Sequence, residues 1–524
     1  MKRLVLITFL IGVTIAMVWA TGQSETTVSD DGVPTLTYYR TPPGVIATLV
    51  DSWEEAPIWQ AYQEQVGIDI EFVKIPQDAA NHLSLLIASG DYPDIIENFW
   101  GRYPGGAAQA ISDEVITPLN DVFDQYAPNL SSLIGEMQQA GPGNVLAMQT
   151  GEGEFFGFPM LRFDDEALVF VGPQLRADWL ENLGLDVPET IDDWTTVLTA
   201  FRDEYDVAPL SGAAPVLNSR NIFSGSSFAS AYEVILDWHR VGDRIQHGFG
   251  QPELRDFLVK MNEWYEAGLI DPEFVTNDRS VFENKVYNGN VGAFIGFTGS
   301  SMGTYLNTMS SRDPEFDLVG AKYPVLNRGD YPYYGQRSGN VVPRATAIST
   351  QVSDVATAAR FLDYAYGEEG HMLVNFGIEG VSYEMIDGFP RYTDLITDNP
   401  DGLTMAAAMG LYTGISAGGS AVQDGRYAVQ YLLNLPQQAD AVEKWKQTDA
   451  VEHLVVGLAP APSVSDDFGA IWTEVQTYAE ENILKFVTGA RSLSEFGDYL
   501  DQLDSMGYET ARQYMQNAYE AMTN

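Results

Sequence analysis

Short apolar runs alternate with amphipathic segments near the start of the chain, and this alternation restricts the fold more than any other feature. Three runs predict strands, at Thr35–Tyr39, Ile68–Ile75 and Asp94–Phe99. The segments between them have helical spacing, at Trp53–Val66 and in the stretch that Asp78 caps. Strands joined by short helical connections form parallel sheets covered by helices. The sequence therefore predicts an α/β fold.

The carboxyl ends of such strands are where parallel α/β sheets bind their ligands. The residues at the predicted ends of the first and third strands are Tyr39, Arg40, Glu97, Asn98, Phe99, Trp100, Arg102 and Tyr103. Because Gly101 follows Trp100, one face of the indole is expected to be open. The alternative is a tryptophan buried in the core, where aromatic residues usually lie.

The length of 524 residues exceeds what one hydrophobic core usually supports, so two lobes are expected. At the N-terminus, Lys2 and Arg3 precede an apolar run that ends at Trp19, which predicts a cleaved signal peptide over residues 1–20. A retained membrane anchor is the alternative, but the run is short for a bilayer-spanning helix. The polar and acidic residues 21–34 are expected to form a flexible tether.

Cysteine is absent from the sequence. Its absence excludes disulfide bonds, thiolate metal sites, cysteine nucleophiles and an N-terminal cysteine that carries lipid. Together with the predicted signal peptide, this indicates a soluble protein that is secreted across the cytoplasmic membrane and is periplasmic or extracellular.

The formal net charge is −45, with 73 acidic residues against 28 basic ones. Such a field repels nucleic acid and anionic lipid, so neither is expected as a partner. Lysine is scarce among the basic residues. An acidic surface that is poor in lysine leads to the hypothesis of adaptation to a saline medium, where salt screens the self-repulsion.

A Gly-x-Ser-x-Gly pattern at Gly299–Gly303 follows a predicted strand and matches the nucleophile elbow of hydrolases. The same pattern recurs at Gly414–Gly418, so a chain with 48 glycines produces it readily. A triad also needs a later histidine, and only His371 and His453 qualify. We interpret the serines of the first pattern as hydroxyl donors at a strand end that faces a cleft. The other histidines lack the close spacing of a zinc site.

The stretch after Pro173 reads Gln-Leu-Arg-Ala-Asp-Trp-Leu-Glu-Asn-Leu-Gly-Leu-Asp-Val-Pro-Glu-Thr-Ile-Asp-Asp-Trp and ends at Trp194. A helix is predicted to stop at Gly184, and Thr190 caps the next one. This stretch resembles the extracellular solute-binding proteins of carbohydrate ABC importers, in particular the large lipoprotein-like group that includes oligosaccharide and alginate-oligomer binders. The resemblance continues in the same order through Trp264–Phe274, Asn288–Phe294, Phe361–Gly370, Asn375–Pro390 and Phe486–Gly489.

The resemblance implies a two-lobed periplasmic-binding-protein fold of type II. Each lobe is expected to be a mixed, mostly parallel sheet flanked by helices, with the ligand trapped between the lobes by hinge closure. The expected N-terminal lobe comprises residues 35–160 and 338–395, and the expected C-terminal lobe comprises residues 161–330 and 400–524. Crossings between the lobes are expected near Pro159–Phe163, Val325–Ser338 and Arg391–Pro400.

A sugar site is also implied, in which aromatic faces stack on pyranose rings and polar groups bind the hydroxyls. The expected stacking groups are Trp100, Phe297 and Tyr383. The expected polar groups are Glu97, Arg102, Arg162 and Glu379, with Tyr334 and Arg337 near a hinge as further candidates. For the stretch that carries Glu379 and Tyr383, a tight turn with core aromatics is the alternative. The net charge argues against a polyuronate ligand, unless Arg40, Arg102 and Arg162 form a local positive patch.

The function implied by the resemblance is capture of an oligosaccharide and its delivery to the transmembrane subunits of an ABC permease, which a separate ATPase powers. The protein is expected to act as a monomer without cofactor, metal ion or catalysis. Many relatives hold calcium in an EF-hand-like loop, but the stretch Asp203–Pro209 is too short to supply six to eight oxygen ligands. A secreted carbohydrate-active hydrolase and a peptide-binding importer subunit remain as alternatives.

Overall fold

The computed structural model of the chain describes residues 33–41, 46, 49, 50, 52–75, 81–140, 142–214, 221–415 and 419–523. The predicted signal peptide, the predicted tether up to residue 32 and the predicted helix cap Asp78 lie outside the described residues.

The strands of the described residues are β1 (Thr35–Tyr39), β2 (Asp69–Phe72), β3 (Ile95–Asn98), β4 (Phe158–Arg162), β5 (Val171–Arg176), β6 (Trp238–Val241), β7 (Arg244–His247), β8 (Ala293–Phe297), β9 (Leu318–Gly320), β10 (Val341–Ile348), β11 (Tyr383–Ile386), β12 (Phe389–Tyr392) and β13 (Ala421–Gln423).

The α-helices of the described residues are α1 (Pro57–Val66), α2 (His82–Ser89), α3 (Gly106–Ser112), α4 (Asn120–Tyr126), α5 (Pro128–Ala140), α6 (Asp165–Leu168), α7 (Ala177–Leu183), α8 (Ile191–Tyr205), α9 (Leu254–Glu266), α10 (Arg279–Tyr287), α11 (Thr304–Met309), α12 (Val355–Asp363), α13 (Glu368–Phe376), α14 (Asp394–Thr397), α15 (Met405–Tyr412), α16 (Gly425–Tyr431), α17 (Pro436–Trp445), α18 (Ala450–His453), α19 (Ser465–Val487), α20 (Phe496–Ser505) and α21 (Tyr508–Thr523). None of these helices has the length and apolarity that crossing a membrane requires.

The first lobe is built on a six-stranded sheet with the order β13-β4-β10-β3-β1-β2. The three strands that the alternating runs predict are parallel, with Thr35 opposite Asp69 and Tyr38 opposite Ile95. β13 is parallel to β4, whereas β10 runs antiparallel between β3 and β4. The carboxyl ends of β13, β4, β3 and β1 and the N-terminal end of β10 therefore lie at one edge of the sheet.

The first predicted helix is confirmed, but it begins later in the sequence than its hydrophobic pattern indicates. Residues Trp53–Glu55 form a 3₁₀ turn, and α1 starts at Pro57. Proline suits the first position of a helix because its fixed φ is helical and its missing N–H has no partner there. α1 ends at Gly67, whose φ of 69° lies in the left-handed region, and it buries Trp59 and Tyr62 in the core of the first lobe.

The second lobe contains a three-stranded sheet with the order β8-β5-β9. Its strands are antiparallel, with Val171 opposite Phe297, and single parallel bridges join Leu210 to Ala293 and to Ile270. This mixed sheet differs from the mostly parallel sheet expected for both lobes. Residues of α8, α9 and α19 pack with β5 and β8 in a core that is separate from the core of the first lobe.

Within the described residues the chain passes between the lobes in three places: between β4 and β5, between β9 and β10, and between α16 and α17. The first two lie at or next to the predicted crossings, although Pro159 belongs to β4 and the crossing follows Arg162. A two-lobed α/β fold results, with the short helix α6 inside the first crossing.

The third crossing corrects a predicted boundary, because the described residues 400–415 and 419–431 belong to the first lobe. Ala421 of β13 lies opposite Met160 of β4, and Met409 is buried in the first-lobe core. The turn residues near Asn399 mark a bend inside that lobe, where the Gly402 N–H donates to the Asn399 carbonyl oxygen over 3.0 Å. The turn-forming residues near Asn399 therefore mark a change in chain direction within the first lobe and not a crossing between the lobes.

Candidate functional site

The ends of two strands from different lobes meet at the first crossing. β4 of the first lobe ends with Arg162, and β8 of the second lobe ends with Phe297. Between them lies Phe170, whose ring is 5.9 Å from the ring of Phe297 with an interplanar angle of 6°. The Arg162 guanidinium carbon lies 5.7 Å from the centroid of the Phe170 ring. We call Arg162, Phe170 and Phe297 the interlobe stack.

Two members of the interlobe stack, Arg162 and Phe297, are predicted site residues, and the structure brings them together. Phe170 was missed. It lies in an apolar run from Leu168 to Val171 that reads as an ordinary core strand, so the only available signal was its position directly before β5.

The guanidinium of Arg162 is half-buried and lacks an acidic partner. Its Nη2 contacts Met160 Sδ at 3.8 Å, and its Nε is buried without a hydrogen-bond partner. No carboxylate within the described residues lies within ion-pair distance of it. Burial lowers the pKa of Arg162, and the nearby Tyr427 hydroxyl opposes that shift. The stack therefore combines an aromatic surface with a cation that can receive ligand oxygens.

Glu97 and Arg40, which are predicted polar groups, belong to a buried charge network with Arg344. The Glu97 side chain is fully buried and lies 2.5 Å from Arg344 and 3.6 Å from Arg40. The Arg40 guanidinium also lies 5.1 Å from the ring centroids of both Trp53 and Trp59. These contacts give Glu97 and Arg40 a structural role at the sheet edge, since neither is open to a ligand in this conformation.

Arg102 and Arg344 share the ring of Phe99, directly after β3. Their guanidinium carbons lie 4.7 Å and 5.8 Å from its centroid, and 36% of Phe99 is exposed. Arg102 is itself exposed, in the single turn that follows Phe99. The predicted residue Arg102 is therefore accessible, while Arg344 was not predicted because it lies inside strand β10.

Trp100 is a core residue, and this corrects the expectation of an open indole. It has no solvent exposure, and its Nε1 donates to the Ala345 carbonyl oxygen over 3.0 Å. Ile96 and Phe156 belong to the same hydrophobic cluster. The adjacent Gly101 opens space along the backbone but not over the ring, so no face is left for a sugar.

Glu379 and Tyr383 lie together, but away from the interlobe stack. They line a surface groove whose other residues, such as Gln65 of α1 and Met372 of α13, all belong to the first lobe. The Gly380 N–H donates to the Tyr383 carbonyl oxygen over 2.8 Å, which closes a tight turn. Tyr383 is buried, and burial, followed by the charge of Glu379, raises its pKa. The alternative of a turn with core aromatics describes this stretch.

Tyr334 is a core residue, whereas Arg337 lies in the second crossing directly after Gln336, whose Oε1 accepts a hydrogen bond from the Phe170 N–H over 2.9 Å. Tyr334 is buried in the second lobe in one cluster with Ile235 and Ala450. Arg337 donates to Asp165 Oδ1 over 2.6 Å and so joins the second crossing to the first.

The hydrolase pattern at Gly299–Gly303 does not form a triad with either later histidine. Ser301 is buried and accepts a hydrogen bond from the Phe297 N–H over 3.2 Å. His371, in the first lobe, contacts Asp424 through Nε2 at 2.9 Å, and Nδ1 of His453 lies 3.0 Å from the Arg240 carbonyl oxygen. In the part of the chain that the structure describes, no group of three or more histidine or acidic side chains is arranged to hold a metal ion.

The family model described as bacterial extracellular solute-binding protein matches residues 47–372. A Bacillus subtilis protein named lipoprotein LipO is 24% identical over 359 residues, which cover 66% of this chain and 67% of LipO. The fructooligosaccharide ABC transporter substrate-binding protein FusA of Streptococcus pneumoniae is 23% identical over 500 residues, covering 90% of this chain and 88% of FusA.

Solved structures share the fold over almost the whole length. The alginate-binding protein AlgQ2 without calcium ion superposes with a TM-score of 0.72 at 22% identity, covering 93% of this chain and 98% of AlgQ2. An HMO-binding, ABC-transporter-associated solute-binding protein from Bifidobacterium longum infantis gives a TM-score of 0.76 at 17% identity, covering 94% of this chain and 100% of its own.

Proposed function

Because the chain belongs to the family of bacterial extracellular solute-binding proteins, we propose that it captures an oligosaccharide between its two lobes and delivers it to an ABC importer. The interlobe stack is the observation that carries this proposal. Phe170 and Phe297 supply a parallel aromatic pair, and Arg162 supplies hydrogen-bond donors beside it. Sugar recognition uses this combination, since pyranose rings have apolar faces and a rim of hydroxyls.

The position of the stack links binding to lobe closure. We propose an N-terminal lobe of residues 33–162 and 341–431 and a C-terminal lobe of residues 171–320 and 436–523, with the three crossings as hinges. A ligand that touches the end of β4 and the end of β8 contacts both lobes, so it stabilises the closed form over the open one. The closed form then docks on the transmembrane subunits of the permease.

The chain is proposed to act outside the cytoplasmic membrane, as a monomer and without turning over its ligand. Two relatives support the ligand class, since FusA is named for fructooligosaccharides and YtcQ of Bacillus subtilis is named as a polygalacturonan/rhamnogalacturonan-binding protein. A hydrolase and a peptide-binding subunit are the alternatives that an experiment has to separate from this proposal.

Isothermal titration calorimetry of the purified protein with a panel of oligosaccharides and peptides tests the proposal. We expect at least one oligosaccharide to bind saturably. We also expect that oligosaccharide to be recovered chemically unchanged after prolonged incubation with the protein. Binding of peptides alone would contradict the sugar assignment, and cleavage of the sugar would replace it with an enzyme. Small-angle scattering should show a smaller radius of gyration with the bound sugar, as lobe closure requires.

A further inference from the structure

The main chain at Phe170, in the first crossing, is held by a side chain from the second crossing. Oε1 of Gln336 accepts hydrogen bonds from the N–H groups of Phe170 over 2.9 Å and of Val171 over 3.1 Å. Nε2 of the same amide donates to the Leu168 carbonyl oxygen over 3.2 Å. One side-chain amide therefore bonds the main chain of residues 168–171 in the way that a peptide group of a neighbouring strand would.

Gln336 is itself fixed, so it holds Phe170 in one place. Its N–H donates to the Tyr323 hydroxyl over 2.9 Å, and that hydroxyl donates to the Val171 carbonyl oxygen over 2.7 Å. Tyr323 is fully buried. Gly335 lies so close to the Tyr323 ring that a Cβ at this position would approach it to 2.4 Å. The absence of a side chain at Gly335 therefore lets the second crossing come near enough for the Gln336 amide to reach the first.

Phe297 is held by residues of its own lobe. Nε2 of the buried Gln174 donates to the Phe297 carbonyl oxygen over 3.2 Å, and Nε2 of the buried Gln438 donates to the Thr298 carbonyl oxygen over 2.8 Å. The two parts of the stack are also joined through the main chain, because the Thr298 N–H donates to the Phe170 carbonyl oxygen over 2.9 Å. Phe297 is thus fixed to the second lobe, while the position of Phe170 also depends on the second crossing.

We propose that Gln336 is a positioning residue for ligand binding, which couples the second crossing to the ring of Phe170 and keeps that ring parallel to the ring of Phe297. When the lobes close, the conformation of the crossings changes, and a ring that is bonded to a crossing moves with it. An aromatic surface that is already in place binds a sugar ring more tightly than one that must be ordered on binding. This inference rests on the proposed function, because it specifies how the same site is held and regulated.

Hydrogen exchange, measured by mass spectrometry, tests the contact without any ligand. Gln336→Met has a side chain of the same length but no hydrogen-bonding groups, so the Phe170 and Val171 N–H groups lose their acceptor. Exchange in the peptide that contains them should become about tenfold faster. Unchanged exchange would overturn the inference.

Calorimetry of a double-mutant cycle tests whether Gln336 acts on the ligand through Phe170. The probes are a fructotrisaccharide and a trigalacturonate, since FusA and YtcQ are named for these sugar classes, and then any other oligosaccharide that binds the parent. Gln336→Met should weaken binding about tenfold in the parent. In Phe170→Leu, where the ring that Gln336 positions is absent, the same substitution should weaken binding less than about twofold.

Gln516→Met is the matched control. Gln516 is half-buried like Gln336, and its Oε1 accepts a hydrogen bond from the Ile245 N–H over 2.8 Å while its Nε2 donates to the Asp243 carbonyl oxygen over 2.9 Å. These bonds join α21 to β7 and its preceding turn, and none of them involves a crossing. The control should lower the thermal midpoint by a similar amount as Gln336→Met, but it should leave the affinity within about twofold of the parent.

Gln336→Glu takes the place of Gln336→Met if the methionine variant does not fold. Glutamate keeps the acceptor oxygen for the Phe170 N–H and loses only the donor to Leu168, so it should weaken binding about threefold, and this loss should also vanish in Phe170→Leu.

The outcomes separate the inference from the proposed function. Equal losses of affinity in the parent and in Phe170→Leu, or no loss in either, would overturn the role of Gln336 and leave the proposed function intact, because the parent still binds sugar. A parent protein without affinity for any oligosaccharide would overturn both.

Discussion

The rings of Phe170 and Phe297 lie parallel at 5.9 Å, one in the first crossing between the lobes and the other at the end of a second-lobe strand. Phe297 is only partly buried, whereas the strand that leads to it is buried. Phe297 is therefore an aromatic surface at the end of a rigid strand, and it is placed where the two lobes meet. Such surfaces are effective in binding because little conformational entropy is lost when a ligand packs on them.

Replacement of Phe297 by alanine should weaken sugar binding by about tenfold or more, which corresponds to loss of an aromatic contact of roughly 1.5 kcal/mol. The thermal midpoint should change little in comparison, because the ring is not enclosed in the core. Titration calorimetry and circular dichroism measure the two effects. Tyr331→Ala, at an exposed position of the second crossing, is the control and should bind normally. Unchanged affinity of Phe297→Ala would remove the interlobe stack from the site.

Trp100→Ala should destabilise the first lobe by about 3–5 kcal/mol, since it empties a fully buried indole site and leaves the Ala345 carbonyl oxygen without its donor. Trp100→Phe should cost less, because it fills most of the volume and loses only the hydrogen bond. Chemical denaturation of both variants provides the comparison. A loss of sugar affinity with unchanged stability would restore the sequence-based role of Trp100 as a stacking group.

Glu97→Gln should destabilise the protein by about 3–5 kcal/mol, because it removes the charge of a buried carboxylate that lies between the Arg40 and Arg344 guanidinium groups. Glu71→Gln, on an exposed position of β2, is the matched control and should stay within about 0.5 kcal/mol of the parent. Urea unfolding of the two variants measures the difference. Equal midpoints would show that the network contributes nothing to stability.

Acid should weaken the second lobe through its buried histidines. Burial lowers the pKa of His239 to about 4, aided by the charge of His453 and opposed by a hydrogen bond to the Asp237 carbonyl oxygen. The unfolded chain then binds a proton between about pH 6.5 and 4 that the folded chain does not. Stability is therefore complete above that window and decreases as the pH falls through it, by on the order of 3 kcal/mol for this residue.

Urea midpoints at pH 7 and pH 4.5 check this dependence. His239→Gln should reduce the difference between the two midpoints, although it is expected to be less stable at pH 7. His82→Gln, on α2 in the first lobe, should keep the full difference. An equal difference between the pH 7 and pH 4.5 midpoints in the parent and in both variants would assign the acid sensitivity to other groups.

Salt should stabilise the protein. A net charge of −45 produces self-repulsion that favours the expanded chain, and ions screen it. The thermal midpoint is expected to rise between low salt and about 1 M NaCl, with neutral sucrose of equal osmolality as a control. A flat or falling midpoint would contradict the hypothesis of adaptation to a saline medium.

Local periodicity was sufficient to predict the parallel strands of the first lobe, while the roles of Arg162, Phe297 and Arg102 in ligand binding stay predictions. What it could not supply is packing between distant parts of the chain. Trp100 is buried by its contact with Ala345, far along the sequence, and a neighbouring glycine carries no information about that contact. Arg344 and Phe170 were missed for the same reason, since each becomes notable only when another strand is placed beside it.

The last lobe crossing was misplaced because a turn and a hinge have the same composition. Asn399 and Gly402 close a bend inside the first lobe, while the true crossing after Tyr431 has little glycine or proline before Pro436. His239 and His247 show that residues without a recognisable spacing in the sequence can still lie together in the fold. They are spaced eight residues apart, but the β6–β7 hairpin folds them into one buried region together with His453.

The pairing of β13 with β4 has a consequence for how this chain is made. Ala421 meets Met160 only after the ribosome has produced more than 250 intervening residues, which include all the described strands of the second lobe. The first lobe thus stays incomplete, with an open β4 edge, for most of synthesis. The first lobe is therefore completed only after the described strands of the second lobe have been made, so the assembly of the two lobes overlaps in time.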